Sequence, residues 1–184
     1  KNRLYIYINV ITKNFTAIIL FFLLPLFVFG TELGSIEKFR SIITTEFKGY
    51  QISDSENIQL YGAKHRKFLN QNLYWGEAGY GALFGKRSGY LEGGVFIGRF
   101  QEGPWGSILD FRIFTGAGGG GSAPQGGGFI IHPTIGIGFN LSQALFVMSE
   151  LGYMHFVNGE ISSVSLGVSL NLNTWRLEER TTKK

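Results

Sequence analysis

Glu77, Glu92, Asp110, Arg112, His132 and Glu150 are residue types that do chemistry when brought together. Four carboxylates with one guanidinium and one imidazole, gathered on one surface, couple one another's titration. Such a set can bind a ligand, pass protons or support acid–base catalysis. Packed and mutually paired, the same six form a structural ion network, and this is the preferred reading. His65 and His155 complete the histidines. His155 shares a predicted face with Ser149, Leu151 and Tyr153, where a Ser/His pair has the makings of a nucleophile for an acyl ester. A histidine near the end of a strand is the plainer reading. Three scattered His and no Cys give no metal-ligand spacing, no thiol nucleophile and no disulfide framework. No catalytic residue is assigned and no cofactor is expected. Gly116, Gly118 and Gly121 match G-x-G-x-x-G in form, but Pro124 and Gly126–Gly128 prevent the helix that a dinucleotide site requires.

The elements that must position these residues alternate with period two, the period of a strand. Six segments stand out: 73–84, 89–100, 107–116, 128–140, 144–156 and 162–173. Each is about ten to thirteen residues, long beside the five or six of globular strands and sufficient to cross a bilayer at a tilt. In the last, Val164, Leu166, Val168, Leu170 and Leu172 share one face and Ser163, Ser165, Gly167, Ser169 and Asn171 the other. Ile135 and Ile137 oppose His132, Thr134 and Gly136, while Leu109, Phe111 and Ile113 oppose Asp110 and Arg112. A soluble strand shows water Lys, Glu, Thr and Arg; here the polar face is mostly Gly and Ser. Small residues suit the interior of a narrow barrel whose apolar face meets lipid. Gly79, Gly81, Gly94, Gly98, Gly136, Gly138, Gly152 and Gly167 are assigned to that interior, beside Phe96, Phe114, Phe146 and Met148. The alternative is a secreted soluble β-barrel or sandwich acting as a binding module.

Two further segments are less clear. Residues 39–51 read as a strand with Phe39, Ile43 and Phe47 outward, or as an amphipathic helix on a membrane surface. Residues 57–64 read as a weak strand. Counting both gives eight. Trp75, Trp105 and Trp175 then fall at one boundary of the barrel, where aromatic rings gather.

The composition agrees with a β-rich chain. It has 184 residues with 27 Gly, 17 Phe, 8 Tyr and 3 Trp, and 16% are charged. That much glycine disfavours helices, and that much aromatic content disfavours disorder. Residues 15–29 form an apolar run preceded by Lys1, Arg3 and Lys13, with Val28 and Gly30 at small-residue cleavage positions. This is the pattern of an export signal. The expected organisation is a cleaved leader over 1–30, a barrel over 31–175 and a polar tail over 176–184. The leader holds three basic and no acidic residues, so the remainder carries 14 basic against 13 acidic. The overall charge of +4 therefore gives no nucleic-acid signal.

With its leader, strand length and alternation, and with its longest connection (116–128) and its tight turn (141–143) expected at opposite ends, the chain resembles the small eight-stranded outer-membrane proteins typified by the OmpA membrane domain, OmpX and PagP. The resemblance spans residues 39–175 and implies an all-β, antiparallel, up-and-down transmembrane barrel in a Gram-negative envelope. It implies membrane lipids and lipopolysaccharide as surroundings and an envelope protein as a partner. The expected role is structural or interactive, with a polar lumen and no open pore. The alternative is a lipid-modifying enzyme acting by acyl transfer or hydrolysis on lipid A or phospholipid.

Overall fold

A computed structural model describes residues 36–53 and 56–179. The predicted leader, and residues 180–184 of the predicted tail, lie outside the described residues. Eight strands follow one another: β1 Ile36–Ser53, β2 Glu56–Phe68, β3 Leu73–Phe84, β4 Leu91–Glu102, β5 Ser107–Gly119, β6 Phe129–Asn140, β7 Leu145–Phe156 and β8 Ser162–Glu179. Each pairs antiparallel with its neighbour in sequence, and the sheet closes on itself. Up-and-down closure leaves no sheet edge, so every strand finds partners on both sides.

The weak first segments are strands. In β1, Ile42, Thr44, Glu46, Lys48, Tyr50 and Ile52 are buried, while Ile43 and Phe47 are exposed. A helix would have put Glu46 and Lys48 on different faces; the pleat puts both inside. The chain turns at 69–72, 103–106 and 141–144 at one end and at 85–90, 120–128 and 157–161 at the other. Among the described connections, long and short are thus segregated by end. The glycine-rich segment divides: Gly116–Gly119 belong to β5, and 120–128 form the longest described connection.

The interior is filled in three tiers. At the short-turn end the rings of Phe68, Tyr74, Phe100 and Phe146 pack in tilted and edge-on contacts with centroids 5.6–5.7 Å apart. The opposite end is closed by Ile52, Ile58, Ile130, Phe156 and Ile161, all buried. Charged side chains occupy the middle. An eight-stranded barrel has room for its own side chains and little else.

Inward glycines make that space. A methyl group at Gly98 would sit on the Tyr74 hydroxyl and the Phe111 carbonyl. Gly98→Ala is therefore expected to destabilise the barrel by about 1–3 kcal/mol through overpacking. Gly79 and Gly81, expected in the interior, instead face outward in phase with Trp75, and a Cβ at Gly79 meets nothing within 4 Å. Gly79→Ala should change stability by no more than about 0.5 kcal/mol. The urea midpoints of the two variants, read side by side, test the facing of both strands.

Candidate functional site

Five of the six predicted interior residues lie inside the barrel: Glu92, Asp110, Arg112, His132 and Glu150 are all buried. Glu77 does not. Its side chain is 46% exposed and points outward, opposite His65 in the β2–β3 ladder. The inward places on β3 go to Tyr74, Gly76, Ala78 and Tyr80. The cause is chemical. The Tyr74 hydroxyl donates to Asp110 at 2.6 Å and the Tyr80 hydroxyl to Glu46 at 2.5 Å, so both phenols serve buried carboxylates. Glu77 meets Lys67 and His65 on the wall, at 2.8 and 3.1 Å, which offsets the cost of its outward charge.

The interior network is larger than the sequence pattern indicates. Glu46, Lys48, Lys64 and Arg66 enter it from β1 and β2. Among the described residues the buried acids are Glu46, Glu92, Asp110 and Glu150, and the buried bases, beside His132, are Lys48, Lys64, Arg66 and Arg112. Four stand against four. Such balance is what a closed low-dielectric space requires, because an unpaired ion there costs several kcal/mol.

Glu150 on β7 is the hub. Its carboxylate accepts from Lys64 Nζ at 2.7 and 2.9 Å, from the Ser169 hydroxyl at 3.0 Å and from Arg112 Nη2. Lys64 Nζ also reaches Glu46 Oε2 at 2.7 Å, and Arg112 Nη1 lies 3.5 Å from Asp110. Arg66 donates to Asn171 at 3.0 Å, and Asn171 accepts from Thr44 at 2.7 Å. Nearer the long-loop end, Lys48 pairs with Glu92 and stands 3.6 Å from the Tyr80 ring centroid. The Tyr50 hydroxyl donates to Glu92 at 3.1 Å. His132 Nε2 sits 2.6 Å from the Ser165 hydroxyl. The network links strands on opposite sides of the barrel, β2 to β7 and β1 to β4. That is the geometry of a staple.

The long-loop rim is also tied together. The Arg87 guanidinium grips both oxygens of Glu56 at 2.8 Å and donates to the Ser122 carbonyl at 2.5 Å. One side chain thus joins the start of β2 to the glycine-rich connection. Ala123 in that connection is buried, and Glu160 N–H donates to the Pro124 carbonyl at 3.1 Å.

The outward residues form a contrasting surface. Phe111, Ile113, Ile135, Ile137, Val164, Leu166, Val168 and Leu170 are exposed, and Leu109 is half-buried. Trp75, Trp105 and Trp175 are exposed at the short-turn end. Trp105 adopts a left-handed backbone with φ 56° in the short turn Pro104–Gly106, which a bulky side chain rarely does.

No protein-family model matches the chain, and no curated protein matches it. Among solved structures it is similar to the N-terminal β-barrel domain of Pseudomonas aeruginosa OprF. Identity is 12% over 73% of this chain and 97% of that one, with a TM-score of 0.56. It is likewise similar to Ail, the attachment invasion locus protein of Yersinia pestis, solved in complex with the heparin analogue sucrose octasulfate. Identity there is 11% over 75% of this chain and 99% of that one, with a TM-score of 0.51. At these identities the likeness speaks to architecture, and the architecture is that of the small eight-stranded outer-membrane β-barrels.

Proposed function

We propose that the protein is an outer-membrane barrel, exported by its leader, with a structural or interactive role in the bacterial envelope. It acts through its wall and rims and carries no open channel. One observation supports this above others: the polarity is inside out. Leu166 and Val168 are 64% and 61% exposed, while Asp110 and Arg66 are fully buried. A soluble barrel of this polarity would show water a continuous aliphatic belt far larger than monomers tolerate. A bilayer makes that belt favourable. The left-handed, fully exposed Trp105, with Trp75 and Trp175 at the same end, fits anchoring at a lipid headgroup level. The packed interior supports a role other than conduction. Membrane lipids and lipopolysaccharide are the expected surroundings, and the tied long-loop rim is the expected face for an envelope protein.

Flotation and gel mobility test the reading. The full chain, refolded with phospholipid vesicles, should float with them and migrate differently before and after boiling. Planar bilayers containing it should show no stable conductance. A protein that stays in the soluble fraction, unchanged by boiling, would overturn the proposal.

A further inference from the structure

Each of the three histidines is hydrogen-bonded to a serine. Inside the barrel His132 Nε2 lies 2.6 Å from Ser165; on the wall His155 Nδ1 lies 2.8 Å from Ser162 and His65 Nε2 lies 2.7 Å from Ser41. Among the described residues, His65 alone also has a carboxylate on its other ring nitrogen, with Nδ1 3.1 Å from Glu77 Oε1. Serine, imidazole and carboxylate in that order are recognised as a nucleophile, a base and its orienter by geometry, whatever the fold.

We propose that Ser41, His65 and Glu77 form a serine-hydrolase triad on the outer wall, acting on carboxylic esters of membrane lipids. The substrate class rests on the membrane placement proposed above. The ladder builds the site from three adjacent strands: His65 is opposite Ile43 on one side and Glu77 on the other, so Ser41 is its diagonal neighbour. Glu77 accepts the Nδ1–H and thereby leaves Nε2 free to accept the Ser41 proton. The Ser41 hydroxyl has a second acceptor within reach, the Arg66 carbonyl at 3.0 Å. His65 and Glu77 face outward, with side chains 36% and 46% exposed, and Ser41 is tucked beneath at 2%. Lys67 is directly across the ladder from Ser41 and is held by Glu77 at 2.8 Å. For the ester to reach Ser41, Lys67 must move from Glu77 to a lipid phosphate.

The depth suits an ester. Glu77 is four residues beyond Leu73, which at about 3.3 Å per residue and a tilt near 40° places it about 10 Å above the short turn. Trp75 lies between. Farther from that turn the wall continues as the paired positions Ala63, Gly79 and Gly93. A Cβ at Gly79 would meet nothing within 4 Å, and it is against this open stretch of wall that an acyl chain would lie. In the reaction Ser41 Oγ bonds to the ester carbonyl carbon as its proton passes to His65 Nε2. The carbonyl π pair moves to oxygen, then returns to expel the lipid alcohol, which takes the proton from His65. Water, deprotonated by His65, attacks the acyl-serine, releasing a fatty acid and restoring the Ser41 hydroxyl.

The test uses the full chain in phosphatidylethanolamine/phosphatidylglycerol vesicles and, in a parallel arm, in vesicles containing lipid A. Mass spectrometry reads released fatty acid, and a fluorophosphonate probe reads the reactive serine. The expected result is fatty acid release in at least one arm, which identifies the lipid, and a label on Ser41. Ser41→Ala should abolish both, and His65→Asn and Glu77→Gln should lower the rate at least about 100-fold. Ser162→Ala should leave rate and label unchanged. Boiling-dependent mobility reports folding, and the label on the wild-type chain decides the matter even where a variant misfolds. A chain that fails to float with the vesicles overturns the membrane placement along with the triad. One that floats, releases nothing in either arm and takes no label, or that keeps its activity as Ser41→Ala, overturns the triad alone.

Discussion

Glu150→Ala should destabilise the barrel by about 3–5 kcal/mol, the cost of breaking a buried ionic cluster on one side. The loss leaves three buried acids against four bases. Lys64 keeps Glu46, and Arg112 keeps Asp110, but Arg66 loses one of the two carboxylates that stand 3.9 Å from it. The charge imbalance matters more than the cavity, and a second substitution separates the two. Combining Glu150→Met with Lys64→Met restores three against three and fills the space with unbranched side chains. Replacing a buried pair by apolar residues is often neutral, so the double variant should recover most of the stability lost in Glu150→Ala. Urea titration in vesicles, followed by the boiling-dependent gel shift, reads both. Glu150→Met alone fills the same space but keeps three acids against four bases, and if it recovered as much as the double variant the hub would contribute volume and no charge balance.

How far this network is legible in the sequence depends on the strand. In β5 to β8 one face is aliphatic and the other is small or polar, so Asp110, Arg112, His132 and Glu150 can be placed by counting in twos. In β1 and β2 both faces mix. Ile42, Ile58 and Leu60 point inward with Glu46, Lys48, Lys64 and Arg66, because the ends of the interior are greasy and its middle is ionic. Hydropathy alternation fails there, and with it go most of the network's cations. A signal exists nonetheless. Glu92, Asp110 and Glu150 with Arg112 alone leave a closed interior short of positive charge, and Lys64 and Arg66, two residues apart, are where it could be found. The phase of β3 is inverted from the expected one because Trp75, Glu77, Gly79 and Gly81 on one face and Tyr74, Gly76, Ala78 and Tyr80 on the other are equally mixed. Tyrosine hydroxyls reaching Asp110 on β5 and Glu46 on β1, two strands away on either side, decide which face turns inward, and no local pattern records those contacts. The same inversion puts Glu77 beside His65.

Leu166→Arg should cost about 2–4 kcal/mol in a bilayer, the penalty for a cation at mid-depth on the lipid face. Leu166 is opposite Leu151, in the middle of β7, and its side chain has no polar neighbour across that pair. Gly167→Arg, one residue on, should fail for a different reason. A Cβ there would stand 2.9 Å from Glu46 Oε1 and 3.3 Å from Lys48 Cβ, and the guanidinium would add a fifth base to a balanced interior. The two variants therefore respond differently to their surroundings. Moving from a thick to a thin bilayer shortens the path by which the guanidinium of Leu166→Arg reaches the headgroups, so its cost should fall. The cost of Gly167→Arg is internal to the barrel and should not change. In a water-soluble barrel Gly167→Arg would remain costly, while position 166 would accept arginine with a change within about 0.5 kcal/mol, as exposed sites do. Unfolding midpoints of both variants in short-chain and long-chain phosphatidylcholine vesicles distinguish the cases. A Leu166→Arg variant as stable as the parent in the thick bilayer would place the aliphatic belt outside hydrocarbon.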